Sequence, residues 1–252
     1  MKLKRYLWIV VCLIVLAVSV LPAYSQQRLQ PYPGFQVSTL GALNIGVYEG
    51  ASTLAKLKGH GDFGLGTFEG LDGEMVVLNG KFYQIKSDGV AYPVADDIRT
   101  PFSVVTFFRR EKSLRLTGQM TYKELQQQIN ERLSTPNLPY AIRLEGTFPY
   151  LKVRSVPKQT PPYRPLSEVV SQQQSVFELR NVRGTLVGFQ LPQFLKDVNV
   201  AGYHFHFITS DRKAGGHLLD GKFLNPVADV ETLRDWQMML PNNIAFEKAS
   251  LE

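Results

Sequence analysis

A β-rich α+β fold in two packed subdomains, an N-terminal mixed sheet with a helix and a C-terminal antiparallel sheet or small barrel, is predicted by three features of the sequence. Runs of β-branched and aromatic residues, broken by glycine, asparagine and proline, recur along most of the 252 residues. Only one stretch joins a strong helix-start signature to helical apolar spacing. A proline-rich crossing from Pro157 to Pro165 falls between two strand-rich parts.

The chain opens like a secretory signal: Lys2, Lys4 and Arg5, an apolar run from Tyr6 to about Leu21, then Ala23-Tyr24-Ser25 before Gln26. Small residues at positions 23 and 25 predict cleavage there, and hence a periplasmic or extracellular protein with no membrane attachment afterwards. The rival reading is an uncleaved anchor, since the run is close to the roughly 18 residues that begin to span a bilayer. The expected division is a signal at 1–25, an N-terminal subdomain at 26–160 and a C-terminal subdomain at 161–252.

Loss of Lys2, Lys4 and Arg5 leaves 25 basic against 22 acidic side chains, so the formal charge falls from +6 to +3. That balance argues against nucleic acid as a partner. The single cysteine, Cys12, lies inside the signal, which excludes disulfides, thiolate metal sites and cysteine nucleophiles from the mature chain. About 225 residues suffice to bury a core without cross-links.

Glu74–Leu78 and Lys81–Ile85 are β-prone runs joined by Asn79-Gly80, the dipeptide that favours a tight hairpin turn. Ser103–Phe108, Ser113–Thr117, Ala141–Phe148 and Leu151–Val156 read as further strands. Thr121-Tyr-Lys-Glu124 has the capping-box form, and Leu125, Ile129 and Leu133 then recur every four residues, which predicts a helix. A short helix is expected over Leu166–Gln174. Ser175–Leu179 and Gly184–Leu191, with Asn181-Val-Arg-Gly184 as their turn, then Gly202–Thr209 and Gly216–Phe223, read as successive hairpins.

The chemistry concentrates in few residues. In Gly202-Tyr-His204-Phe-His206-Phe-Ile208 strand alternation puts both imidazoles on one face, with Tyr203, Phe205 and Phe207 on the other. The polar turn Thr209–Gly216 can return His217 on the adjacent strand, so three of the chain's four histidines fall within fourteen residues at converging positions. Three neutral nitrogen ligands suit Zn²⁺ and other late divalent metals and leave a position open for substrate or water. Gly59–Met75 adds Asp62, Thr67, Glu69 and Glu74 among glycines, but by itself this pattern favours the reading of its acids as groups on solvated turns. His60 reads as structural.

Gly61-Asp-Phe-Gly-Leu-Gly-Thr-Phe-Glu-Gly-Leu-Asp-Gly-Glu-Met75, Lys152-Val-Arg-Ser-Val-Pro-Lys-Gln159 and the His-x-His with Gly215-Gly-His217 together resemble the α-acetolactate decarboxylase family, from about Leu40 to at least Leu240. The resemblance implies a zinc ion on His204, His206 and His217, with Arg154, Thr67 and Glu74 as catalytic residues; Glu69 stands close enough to be confused with Glu74. It also implies decarboxylation of (S)-2-acetolactate to (R)-acetoin, the metal acting as Lewis acid for the enediolate, Arg154 orienting the carboxylate and Glu74 relaying a proton. A homodimer is compatible with it. The family's further C-terminal glutamate has no clear match, Glu247 and Glu252 being the candidates. Two rivals are a cupin-like metal enzyme, whose carboxylate would follow the histidine pair within a few residues, and a non-catalytic exported metal-binding module. Asp211 and Asp220 are the next acids here, and Thr67 and Arg154 have no place in a cupin reading.

Overall fold

A computed structural model describes residues 32–251, so the expected signal at 1–25 and Glu252 lie outside the described residues. In chain order come β1 (Gly34–Val37), α1 (Leu40–Asn44), β2 (Ser52–Thr53), α2 (Leu54–Lys58), β3 (Phe63–Thr67), β4 (Glu74–Leu78), β5 (Lys81–Ile85), β6 (Ala91–Pro93), β7 (Arg99–Thr100) and β8 (Ser103–Thr106). There follow β9 (Lys112–Arg115), β10 (Gln119–Thr121), α3 (Tyr122–Asn130), β11 (Tyr140–Ser155), α4 (Leu166–Gln173), β12 (Ser175–Leu191), β13 (Gly202–Thr209), β14 (Gly215–Leu224), β15 (Val227–Thr232), β16 (Trp236–Met239) and α5 (Ile244–Glu247).

The β-rich α+β expectation holds. One sheet has the order β16-β1-β8-β3-β4-β5-β6 and is mixed, because β16 runs parallel to β1. The other, β10-β14-β13-β12-β11-β15-β9, is antiparallel, and β14 also pairs with β11, so β11, β12, β13 and β14 close into a ring. Phe205, Phe207, Leu186, Leu151, Val153 and Phe223 share the core of this second sheet with Leu125 and Ile129 of α3. Thr121 caps α3 with a complete capping box, which satisfies backbone N–H groups that no helix can satisfy internally.

Three expectations need correction. The helix belongs with the second sheet, because its apolar face packs there. The division at 160/161 does not follow the sheets, since β9, β10 and β11 join β12–β15 while β16 returns to the first sheet. Ala141–Phe148 and Leu151–Val156 are one strand, as are Ser175–Leu179 and Gly184–Leu191, paired along their length from Tyr140↔Gln190 to Ser155↔Ser175. Pro149, in the gap between the two expected strands, and Asn181, in the expected turn, face each other unpaired in mid-ladder.

Between the sheets lies a shared apolar layer: Phe63, Leu65, Val76, Leu78 and Val104 from the first, with Ala141, Val187, Phe189, Leu191 and Ile208 from the second. On the far side of the first sheet, Leu54 and Leu57 of α2 cover Val37, Met75, Val77 and Val105. Both faces of β4 are thus buried, which is why Glu74–Leu78 is apolar almost throughout.

Candidate active site

Strand alternation assembles the site. Thr67 follows Phe63 and Leu65 on the face of β3 turned to the second sheet, and Glu74 precedes Val76 and Leu78 on the same face of β4. Thr67 and Glu74 are direct cross-strand partners, so seven residues of sequence close into one juxtaposition. The turn between them passes through the left-handed region at Gly70 and Gly73, and a Cβ on Gly73 would sit 2.2 Å from the Ile85 carbonyl oxygen. From the opposing sheet, His204 and His206 share the face of Ile208, with Phe189 and Val187 as their cross-strand partners. His217 lies beside His206 on β14 and beside Arg154 on β11.

The three ring nitrogens converge on a point. His204 Nε2 lies 3.1 Å from His206 Nε2 and 3.1 Å from His217 Nδ1, and the last two are 3.3 Å apart. With Zn–N bonds of about 2.0–2.1 Å, a tetrahedral ion holds its nitrogens roughly 3.3 Å apart, so the triangle fits the ligand set of such an ion. His206 Nδ1 donates to the Met75 carbonyl at 2.7 Å; a carbonyl only accepts, so Nε2 keeps its lone pair for the centre. Burial pushes all three imidazoles below their ordinary range, His204 and His217 well below it. Arg154's charge lowers all three, whereas Glu74 opposes the shift at His206. Neutral imidazole is the form that binds a metal.

Glu74 bridges this centre to Arg154. One carboxylate oxygen lies 3.3 Å from His206 Nε2 and the other accepts from Arg154 Nη1 at 3.2 Å, with both side chains largely buried. Thr67 Oγ1 donates to the Gly73 carbonyl at 2.7 Å, so toward the pocket its hydroxyl can only accept. These groups floor a pocket whose wall is apolar, formed by Leu40 and Leu43 of α1 with Phe102, Val156, Leu166 and Val200. Glu69 is exposed and absent from the lining, so geometry separates it from Glu74. Glu247 is exposed on α5 and also outside the pocket.

Residues 35–252 match the family model described as Alpha-acetolactate decarboxylase. The chain belongs to this family. A curated alpha-acetolactate decarboxylase of Methanosarcina mazei is 49% identical over 217 residues, 86% of this chain and 75% of the relative. That of Methylococcus capsulatus is 46% identical, covering 86% of this chain and 83% of its own. The crystal structure of the Bacillus subtilis alpha-acetolactate decarboxylase superposes with a TM-score of 0.85 at 39% identity, over 87% of this chain and 94% of the other. The protein is therefore an acetolactate decarboxylase by family, and no carboxylate from the 204–217 hairpin joins the histidines as a cupin reading requires: Asp211 is exposed and bonds to Thr209.

The apolar wall escaped sequence reasoning. Leu40, Leu43, Phe102 and Val200 look like any core residues, and only the packing of α1 beside the end of β3 reveals that they face a cavity.

Proposed function

We propose that this protein decarboxylates (S)-2-acetolactate to (R)-acetoin and CO₂ with a divalent metal, Zn²⁺ or another late divalent ion, held by His204, His206 and His217. The supporting observation is the triangle of neutral ring nitrogens at tetrahedral spacing beside the Glu74–Arg154 pair. When bound, the metal supplies Lewis acidity for the charge left on the substrate when CO₂ departs.

The chain's own residues do the rest. Arg154 presents a planar fork for the substrate carboxylate, and its bond to Glu74 fixes the orientation of that fork before substrate arrives. Thr67, whose proton is committed to Gly73, accepts from the substrate hydroxyl. The C–C bond to the carboxylate breaks, its electron pair stays on the organic fragment, and one proton must reach the carbon that lost CO₂. Glu74 relays a proton from water to that carbon from one face, which accounts for a single enantiomer. Leu40, Leu43 and Phe102 exclude water and receive the methyl groups. Export through residues 1–25 belongs to the same reading.

Purified protein loaded with Zn²⁺ is expected to release acetoin and CO₂ from racemic acetolactate, with (R)-acetoin as the product on chiral chromatography. His204→Ala and His206→Ala should abolish turnover and bound zinc together. Folded, zinc-loaded protein that leaves acetolactate unchanged would overturn the proposal.

A further inference from the structure

We propose that Asn181, with Pro149 opposite it, is a positioning residue for the site: their break in the β11–β12 pleat turns Arg154 out of the ring interior and into the pocket. The evidence is a change of phase. On β11, Tyr140, Ile142, Leu144 and Phe148 face the second-sheet core, all at even positions, whereas beyond Pro149 the core-facing residues are Leu151 and Val153. On β12, Leu186 and Val182 face that core, whereas beyond Asn181 it is Leu179 and Phe177. Both strands therefore switch faces at the same rung, and Tyr150↔Arg180 pairs in unchanged register after Phe148↔Val182.

Without the switch, simple alternation from Phe148 would send the side chain at 154 to the core face. With it, Arg154 and Val156 line the pocket. Asn181 has φ +48°, in the left-handed region, although it lies inside a strand rather than in a turn. Asparagine tolerates that region and a β-branched residue does not. Pro149 lacks the N–H that an ordinary rung would need. The other edge of β11 changes partner at the same place, from β15 over Tyr140–Leu144 to β14 over Tyr150–Arg154. Irregularities that re-aim a side chain recur next to active sites. Asn181 itself is exposed, so replacing it removes no buried contact.

The catalytic consequence rests on the proposed carboxylate-binding role of Arg154. In the full-length zinc-loaded protein, Asn181→Val is expected to raise the KM for acetolactate at least tenfold while bound zinc stays stoichiometric, and Asn181→Gly to leave KM within about twofold. The double variant Asn181→Val/Arg154→Ala should be no worse than Arg154→Ala alone, because both remove the same interaction. A crystal structure of Asn181→Val decides the geometry independently of activity. Arg154 still in the pocket would overturn the proposal, whereas Arg154 displaced with KM unchanged would leave it standing and refute the carboxylate role. If Asn181→Val does not fold, deletion of both Pro149 and Asn181 serves instead. Plain alternation then restores the face of Arg154, so a folded double deletion should keep its KM, and loss of KM there would equally overturn the inference.

Discussion

At the residue scale the site is built from groups whose identity cannot be exchanged at constant charge. Arg154 and Glu74 are largely buried and joined at 3.2 Å, so the guanidinium is held in one orientation rather than averaged over rotamers. Lysine keeps the positive charge but offers no two-point fork. Arg154→Lys is therefore expected to lower kcat/KM by about tenfold to a hundredfold, mainly through KM, with zinc content and Tm close to the parent; steady-state kinetics with metal analysis and a melt check this. Activity equal to the parent would show that Arg154 acts only as a point charge. The histidines were legible in the sequence because strand period 2 alone puts His204 and His206 on one face and a short polar turn returns His217. Thr67 and Glu74 were legible only through family motifs, because their approach depends on the β3–β4 register. Their separation from Glu69 is a property of the turn at Glu69–Leu71, which local composition does not encode.

At the element scale, the strands that carry ligands are held by close approach to glycine. Gly188 on β12 faces the ladder to β13, and a Cβ there would lie 2.1 Å from the Phe205 ring and 2.4 Å from the His204 carbonyl oxygen. Alanine at this position must push β13 away or displace Phe205, which is fully buried in the second-sheet core. Overpacking of this kind typically costs about 1–3 kcal/mol. Gly188→Ala is thus expected to lower Tm by several degrees and to weaken zinc binding, since the backbone that shifts is that of His204. Calorimetry and a metal-competition titration check both effects, and an unchanged zinc affinity would mean that the ligand strand does not move. The hairpin Glu74–Ile85 and the capped helix could be read in advance because their signals are local: Asn79-Gly80 for the turn and Thr121 with Glu124 for the cap. α1 and α2, five residues each, are too short to display helical periodicity. Pro149 and Asn181 concealed the two longest strands, because a residue that breaks a pleat resembles, in sequence, one that ends a strand.

At the scale of the whole molecule, the two sheets are interlocked, and a buried carboxylate lies where the chain passes between them. After β8 the backbone leaves the first sheet and reaches the second at β9, and in between Arg109 N donates to Glu231 Oε2 at 2.8 Å. Glu231 is 2% exposed, and its other carboxylate oxygen has no partner among the described residues. Burial raises its pKa from 4.5 to about 7, with Asp62 and Glu111 adding to the rise and Arg109 opposing it. Between those two values the folded protein keeps a proton that the unfolded chain has lost. Unfolding then releases that proton, so stability falls as pH rises through the interval, and the whole penalty is present above pH 7. The three site histidines contribute with the opposite sign, since their lowered pKa values favour the folded state as pH rises toward the ordinary imidazole range. Glu231→Gln leaves the histidines in place and removes only the carboxylate. The stability difference between variant and parent should therefore grow in favour of the variant from pH 5 to pH 8, by about 3 kcal/mol at most. Denaturant melts of both proteins at a series of pH values measure it, and a difference independent of pH would show that Glu231 carries its charge in the folded state throughout.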